Sequence, residues 1–112
     1  MEIKGVKEKE AFVFTLAGRL DVLSAPEAKK VFKEWLDGGE SRLVGDLSGL
    51  DYVSSAGLRV LLEVARAAAK SGGGLSLFGL KERVREVFEV VGLESLIPLF
   101  ATKAEALAKL KA

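Results

Sequence analysis

Segments suited to β-strands alternate along this chain with segments whose apolar residues recur every three or four positions, and few folds accommodate that order. "EIKGV" and "AFVFTLA" read as strands joined by the polar "KEKE", so they form a hairpin and supply an antiparallel pair. "SAPEAKKVFKEWLDGG" reads as a helix with Ala28, Val31, Phe32 and Trp35 on its apolar stripe and Gly38 ending it. Ser24 and Glu27 have capping-box spacing there, and Pro26 falls in the first turn, where its missing N–H does no harm. "RLVGDL" is a short third strand. "LRVLLEVARAAAKSGGG" is a helix apolar around much of its circumference, "LSLFGL" a fourth strand, and "KERVREVFEVVG" a third helix with Val84, Val87, Phe88 and Val91 on one face. "LIPLF" fits a short edge strand, because Pro98 cannot donate to a ladder. Thr102 and Glu105 repeat the capping-box spacing and open a last helix, "AEALAKLKA". Parallel neighbours need crossover connections, so this order predicts an α/β chain with a mixed, largely parallel sheet.

At 112 residues, with no linker, repeat or low-complexity block, residues 1–112 read as a single domain. Lys and Arg total 17 against 16 acidic residues, a formal net charge of +1, which argues against bulk attraction to nucleic acid or an anionic membrane. The apolar runs are far shorter than the roughly 20 residues that cross a bilayer, and "MEIKGVKEKE" does not read as a signal peptide. The absence of cysteine suits a reducing cytoplasm. Asn and Gln are also absent while Lys and Glu are abundant, a pattern seen in thermophile proteins.

Much chemistry is excluded. There is no His, so a serine–histidine–acid triad cannot be assembled from this chain alone. No P-loop is present, and the glycines of "SGGGLSLFG" lie where a helix gives way to a strand, the reverse of a phosphate cradle. Asp46 and Asp51 read as turn formers and caps flanking a turn rather than metal ligands, and Lys81, Arg83 and Arg85 as a solvated helix face. No cofactor or metal is expected.

One junction remains: "LDYVSSAGLRVLL", with Ser54 and Ser55 ahead of a strongly apolar run. Serine is favoured at helix N-caps, and one of the pair needs no other explanation. Ala56 and Gly57 leave the first turn nearly bare, open to close approach by a partner, and the cost of a glycine in a helix must be offset by packing or by access. A phosphate on a hydroxyl here would meet a positive dipole end and could block a partner surface by charge and bulk. Asp21 in "AGRLDVLSA", by itself a turn residue, would sharpen that repulsion if the fold brings it beside the serines.

"LSGLDYVSSAGLRVLL" together with "LAGRLDVLSAPE" resembles the STAS domain, specifically the bacterial anti-sigma factor antagonists. The order of elements agrees along nearly the whole chain. The resemblance implies a STAS-type α/β fold, a mixed, mostly parallel sheet of four to five strands with about four helices. The family's G-x-L/I-D segment after the second strand is matched by Gly18, Arg19, Leu20 and Asp21. Its D-S-[ST]-G-L motif, set on Gly57 and Leu58, puts Ser55 at the phosphoacceptor position. Ser54 then replaces the common aspartate and Ala56 the common second hydroxyl.

For such a protein the resemblance implies partner switching. The unmodified form binds an anti-sigma factor and frees a sigma factor for transcription. The anti-sigma factor, also an ATP-dependent serine kinase, phosphorylates the antagonist and releases it, and a serine phosphatase restores the binding form. The chain would be a ligand and substrate rather than an enzyme. Asp21 would support docking or phosphotransfer, and Ser54, Ala56, Gly57, Leu58 and Arg59 would form the docking surface at the helix start. The alternative is a STAS adapter subunit of a stressosome-like or lipid-transport complex, in which Ser55 merely caps its helix.

Overall fold

The computed structural model describes residues 1–110. Five strands and four helices follow one another as β1 (Glu2–Lys7), β2 (Phe12–Leu20), α1 (Ala25–Asp37), β3 (Arg42–Val53), α2 (Ser55–Lys70), β4 (Gly74–Phe78), α3 (Glu82–Val90), β5 (Leu99–Phe100) and α4 (Lys103–Lys109), with a 3-10 turn, Leu93–Ser95, before β5. The strands lie side by side in chain order. β1 pairs antiparallel with β2, and every later neighbour is parallel. The mixed, mostly parallel sheet anticipated from the alternation is therefore present. The last two residues of the final helix as read from the sequence, 111 and 112, lie outside the described residues.

The strands differ most from expectation in length. β3 runs on from "RLVGDL" through Val53, because Leu47, Leu50 and Val53 keep burying apolar side chains beyond the glycine at 49. Asp46 and Asp51 consequently stand within a strand and flank no turn: the Asp46 carboxylate accepts from Ser48 N and Oγ, and Asp51 pairs with Lys81. β2 likewise takes in Gly18–Leu20, leaving only Asp21 of that segment beyond the strand. Its register against β3 slips between Thr15 and Ala17 and again between Gly18 and Arg19. Gly18 has φ +91°, open to glycine and strained for other residues.

Two apolar layers sandwich the sheet. The larger joins Phe14, Leu16 and Leu20 of β2 and Leu43, Leu47 and Leu50 of β3 to Phe32 of α1, Leu61 of α2 and Phe88 of α3. Phe14, Phe32 and Trp35 interlock there with ring centroids 4.9–5.9 Å apart. The smaller layer, Ala11, Val44 and Ala106 with Val13, Phe78 and Phe100, covers the other face under α4. On α3, Val84 and Phe88 are buried as the stripe predicts, while Val91 lies past the helix end and is exposed.

The caps divide. Thr102 and Glu105 make the full reciprocal box, each side chain bonded to the other's backbone N–H at 3.2 Å. Ser24 and Glu27 do not: Ser24 already has helical backbone angles, and its hydroxyl turns back to donate to Arg19 O at 2.8 Å.

Candidate functional site

The β2–α1 and β3–α2 junctions meet at one end of the sheet. Parallel pairing brings Leu20 beside Val53, and Ser54 N donates to Leu20 O at 2.9 Å. That bond holds Ser54 in an extended conformation, φ −96° and ψ 173°, from which its Oγ accepts from Gly57 N at 3.3 Å. Ser54 is thus the N-cap of α2. Ser55, the first residue of the helix, is exposed, and among the described residues its hydroxyl makes no hydrogen bond.

Gly57 faces inward. A Cβ there would stand 2.7 Å from both Leu20 O and Leu20 Cγ and 3.0 Å from Val53 Cγ2, so the glycine lets α2 start hard against the two strand ends. Of packing and access, the two offsets the sequence leaves open for this glycine, the structure shows packing. Leu58 is also largely buried, and Ala56 is half-buried against the core. Of the residues assigned to the helix start, Ser55 and Arg59 are the exposed ones, and Ser54 is half-buried. Ser55, Leu58 and Arg59 line one side of a shallow hollow whose other walls are Leu62, Val91 and Leu93.

Asp21 shapes the neighbouring loop. Its carboxylate accepts from the backbone N–H of Ser24 at 3.2 Å and of Leu23 at 3.1 Å, an Asx-type turn, while Arg19 Nε stands 3.6 Å from the other oxygen. The Ser24 N–H, then the Leu23 N–H, the Ser24 hydroxyl and the Arg19 charge hold its pKa below the usual 3.8. The turn presents Val22 and Leu23 to solvent, 70% and 87% exposed. Composition and motif spacing gave no sign of these two residues; a pair of aliphatics between Asp21 and a helix start was the available signal.

The cations at this end are mostly engaged. Arg19 lies 4.2 Å above the Tyr52 ring as well as beside Asp21. Lys81 pairs with Asp51, whose carboxyl is held below its usual value first by that hydrogen bond, then by the Lys81 charge, with Arg83 and Arg19 adding to it. Arg85 stands 3.9 Å from Glu89. Arg59 makes no such contact among the described residues. Among the described residues, no three or more carboxylates gather into a metal-binding group, and no helix is long and apolar enough to cross a membrane.

Residues 2–106 match the STAS domain family. The chain is 42% identical over 96 residues to BtrV of Bordetella bronchiseptica, named as an anti-sigma factor antagonist, covering 86% of this chain and 83% of that protein. It is 31% identical over 97 residues to the anti-sigma-B factor antagonist of Bacillus subtilis, covering 86% and 88%. Among solved structures, an anti-sigma factor antagonist of Thermotoga maritima superposes with a TM-score of 0.91 at 22% identity, over 98% of this chain and 95% of that one. The Bacillus cell-fate determinant SpoIIAA in its phosphorylated form superposes at 0.74 and 20% identity, over 98% and 100%. The chain belongs to the STAS domain family and, within it, to the anti-sigma factor antagonists.

Proposed function

We propose that this chain binds an anti-sigma factor in its unmodified form and is released when Ser55 is phosphorylated. The observation that carries the reading is the division of labour at the start of α2. Ser54 caps the helix, while Ser55, one residue on, offers an exposed hydroxyl with no partner among the described residues. A second serine is superfluous for capping.

The chemistry asks little of this protein. The anti-sigma partner, acting as a serine kinase, brings ATP; the Ser55 oxygen attacks the γ-phosphorus, the bond to ADP breaks, and the hydroxyl proton passes to a base of the partner. A serine phosphatase reverses the state by hydrolysis, water entering as serine and inorganic phosphate leave. The chain supplies a presented hydroxyl and a docking surface, not catalytic groups. That surface comprises Ser55, Arg59 and the Asp21 loop with Val22 and Leu23, supported from beneath by Ser54, Ala56, Gly57 and Leu58. It joins exposed aliphatics to charged groups, the composition of a reversible interface. Phosphate adds close to two negative charges there. The fold of SpoIIAA exists in a phosphorylated form, which supports release without unfolding.

Incubation with the cognate kinase and radiolabelled ATP is expected to label the wild type and leave Ser55→Ala unlabelled. Label on Ser54, or undiminished label on Ser55→Ala, would overturn the assignment.

A further inference from the structure

We infer that Arg59 is the chain's own counter-ion for a phosphate on Ser55, so that modification both adds an anion and withdraws a cation from the docking surface. This rests on Ser55 as the modified residue and says what the phosphate does once it is there.

Ser55 and Arg59 are four residues apart on one helix, which puts their side chains on the same face with Cβ atoms about 5–6 Å apart. The order is the favourable one, the acidic group N-terminal to the cation. Both are exposed and both line the same hollow, where the remaining wall residues, Leu58, Leu62, Val91 and Leu93, are apolar. Arg59 is therefore the charged side chain of that hollow, and its apolar walls offer the phosphate no competing carboxylate. Among the described residues Arg59 has no ion pair, hydrogen bond or aromatic partner. Arg19, Lys81 and Arg85 are already committed to Asp21, Asp51 and Glu89. A guanidinium can bind two phosphate oxygens at once, which a lysine ammonium cannot do with the same geometry.

Before modification the same guanidinium is available to an acidic group on the partner. After modification it faces inward along the helix to the phosphate. The switch then changes the surface by more than the charge of the phosphate alone.

The test uses the full chain with phosphoserine installed at position 55 during translation, so it does not depend on any kinase. The second ionisation of the phosphate is followed by phosphorus NMR. In the wild type it is expected to fall about half a pH unit below that in Arg59→Ala, with Arg59→Lys in between and Arg66→Ala, an exposed arginine farther along α2, unchanged. Superimposable titrations for wild type and Arg59→Ala would overturn the inference. So would an equal displacement by Arg66→Ala, which would reduce the effect to net charge. Loss of kinase labelling at Ser55 would instead strike at the phosphoacceptor reading and leave this measurement standing.

Discussion

Ser54 and Ser55 are adjacent and carry the same hydroxyl, and the backbone assigns them different work. The Leu20 carbonyl fixes the Ser54 N–H and with it the extended angles of an N-cap; Ser55 is already helical, and its hydroxyl bonds none of the orphan N–H groups. Three substitutions should separate these roles. Ser54→Ala is expected to destabilise the fold by about 1 kcal/mol through loss of the cap. Ser55→Ala should stay within about 0.5 kcal/mol of wild type, as an exposed change that breaks no bond. Gly57→Ala should cost about 1–3 kcal/mol, because the new methyl meets a backbone oxygen that cannot step aside. Urea unfolding measures all three, and an equal loss for Ser54→Ala and Ser55→Ala would contradict the division. The sequence could show that one serine caps, but not which, since both precede the same apolar run. For Gly57 the sequence left packing and access both open for a similar reason: what it packs against, Leu20, lies far off in sequence and reaches it only through the parallel pairing of β2 with β3.

At the scale of elements, periodicity and cap or proline signals anticipated the five strands and four α-helices of the described residues, and the hairpin and the helix-to-strand glycines fell where expected. The 3-10 turn Leu93–Ser95 was not anticipated, and only Leu99–Phe100 of "LIPLF" is strand. The lengths of β2 and β3 were less legible. Gly18 and Gly49 look like strand ends in a sequence, yet here they sit at or beside register slips that let both strands continue to the functional end. The β2–α1 loop was legible in part: Asp21 is a turn residue and Ser24 stands at the N-cap position of α1, but the Ser24 hydroxyl makes no capping bond. Because the Asp21 pKa is lowered in the folded chain, the ionised carboxylate favours the turn. Its contribution is fully present above the unfolded value near 3.8 and is lost as pH falls through the lower folded value. A carboxyl-carbon NMR titration should show Asp21 titrating below 3.8, with the Leu23 and Ser24 amide shifts moving at the same midpoint. A midpoint at or above 3.8 would remove the turn's electrostatic basis.

On the scale of the whole molecule, the sheet gathers the residues of the candidate site at one end. Strands β2 and β3 both finish there, α2 begins there, and α3 with its 3-10 turn supplies the far wall of the hollow beside Ser55. The helices α1, α2 and α3 share one large apolar layer, so a phosphate at the exposed start of α2 has no loose element to displace. In the proposed switch, regulation acts by altering a surface, not by reshaping a fold. Near-neutral net charge suits that arrangement, since close to two added negative charges reverse the sign of the whole molecule.

The most direct measurement is calorimetric titration of the anti-sigma partner with unmodified chain and with chain carrying phosphoserine at position 55. The account predicts that the phosphorylated chain binds at least about tenfold more weakly, a loss of roughly 1.4 kcal/mol or more, while its amide spectrum stays that of the folded wild type. Equal affinities for the two forms would contradict it.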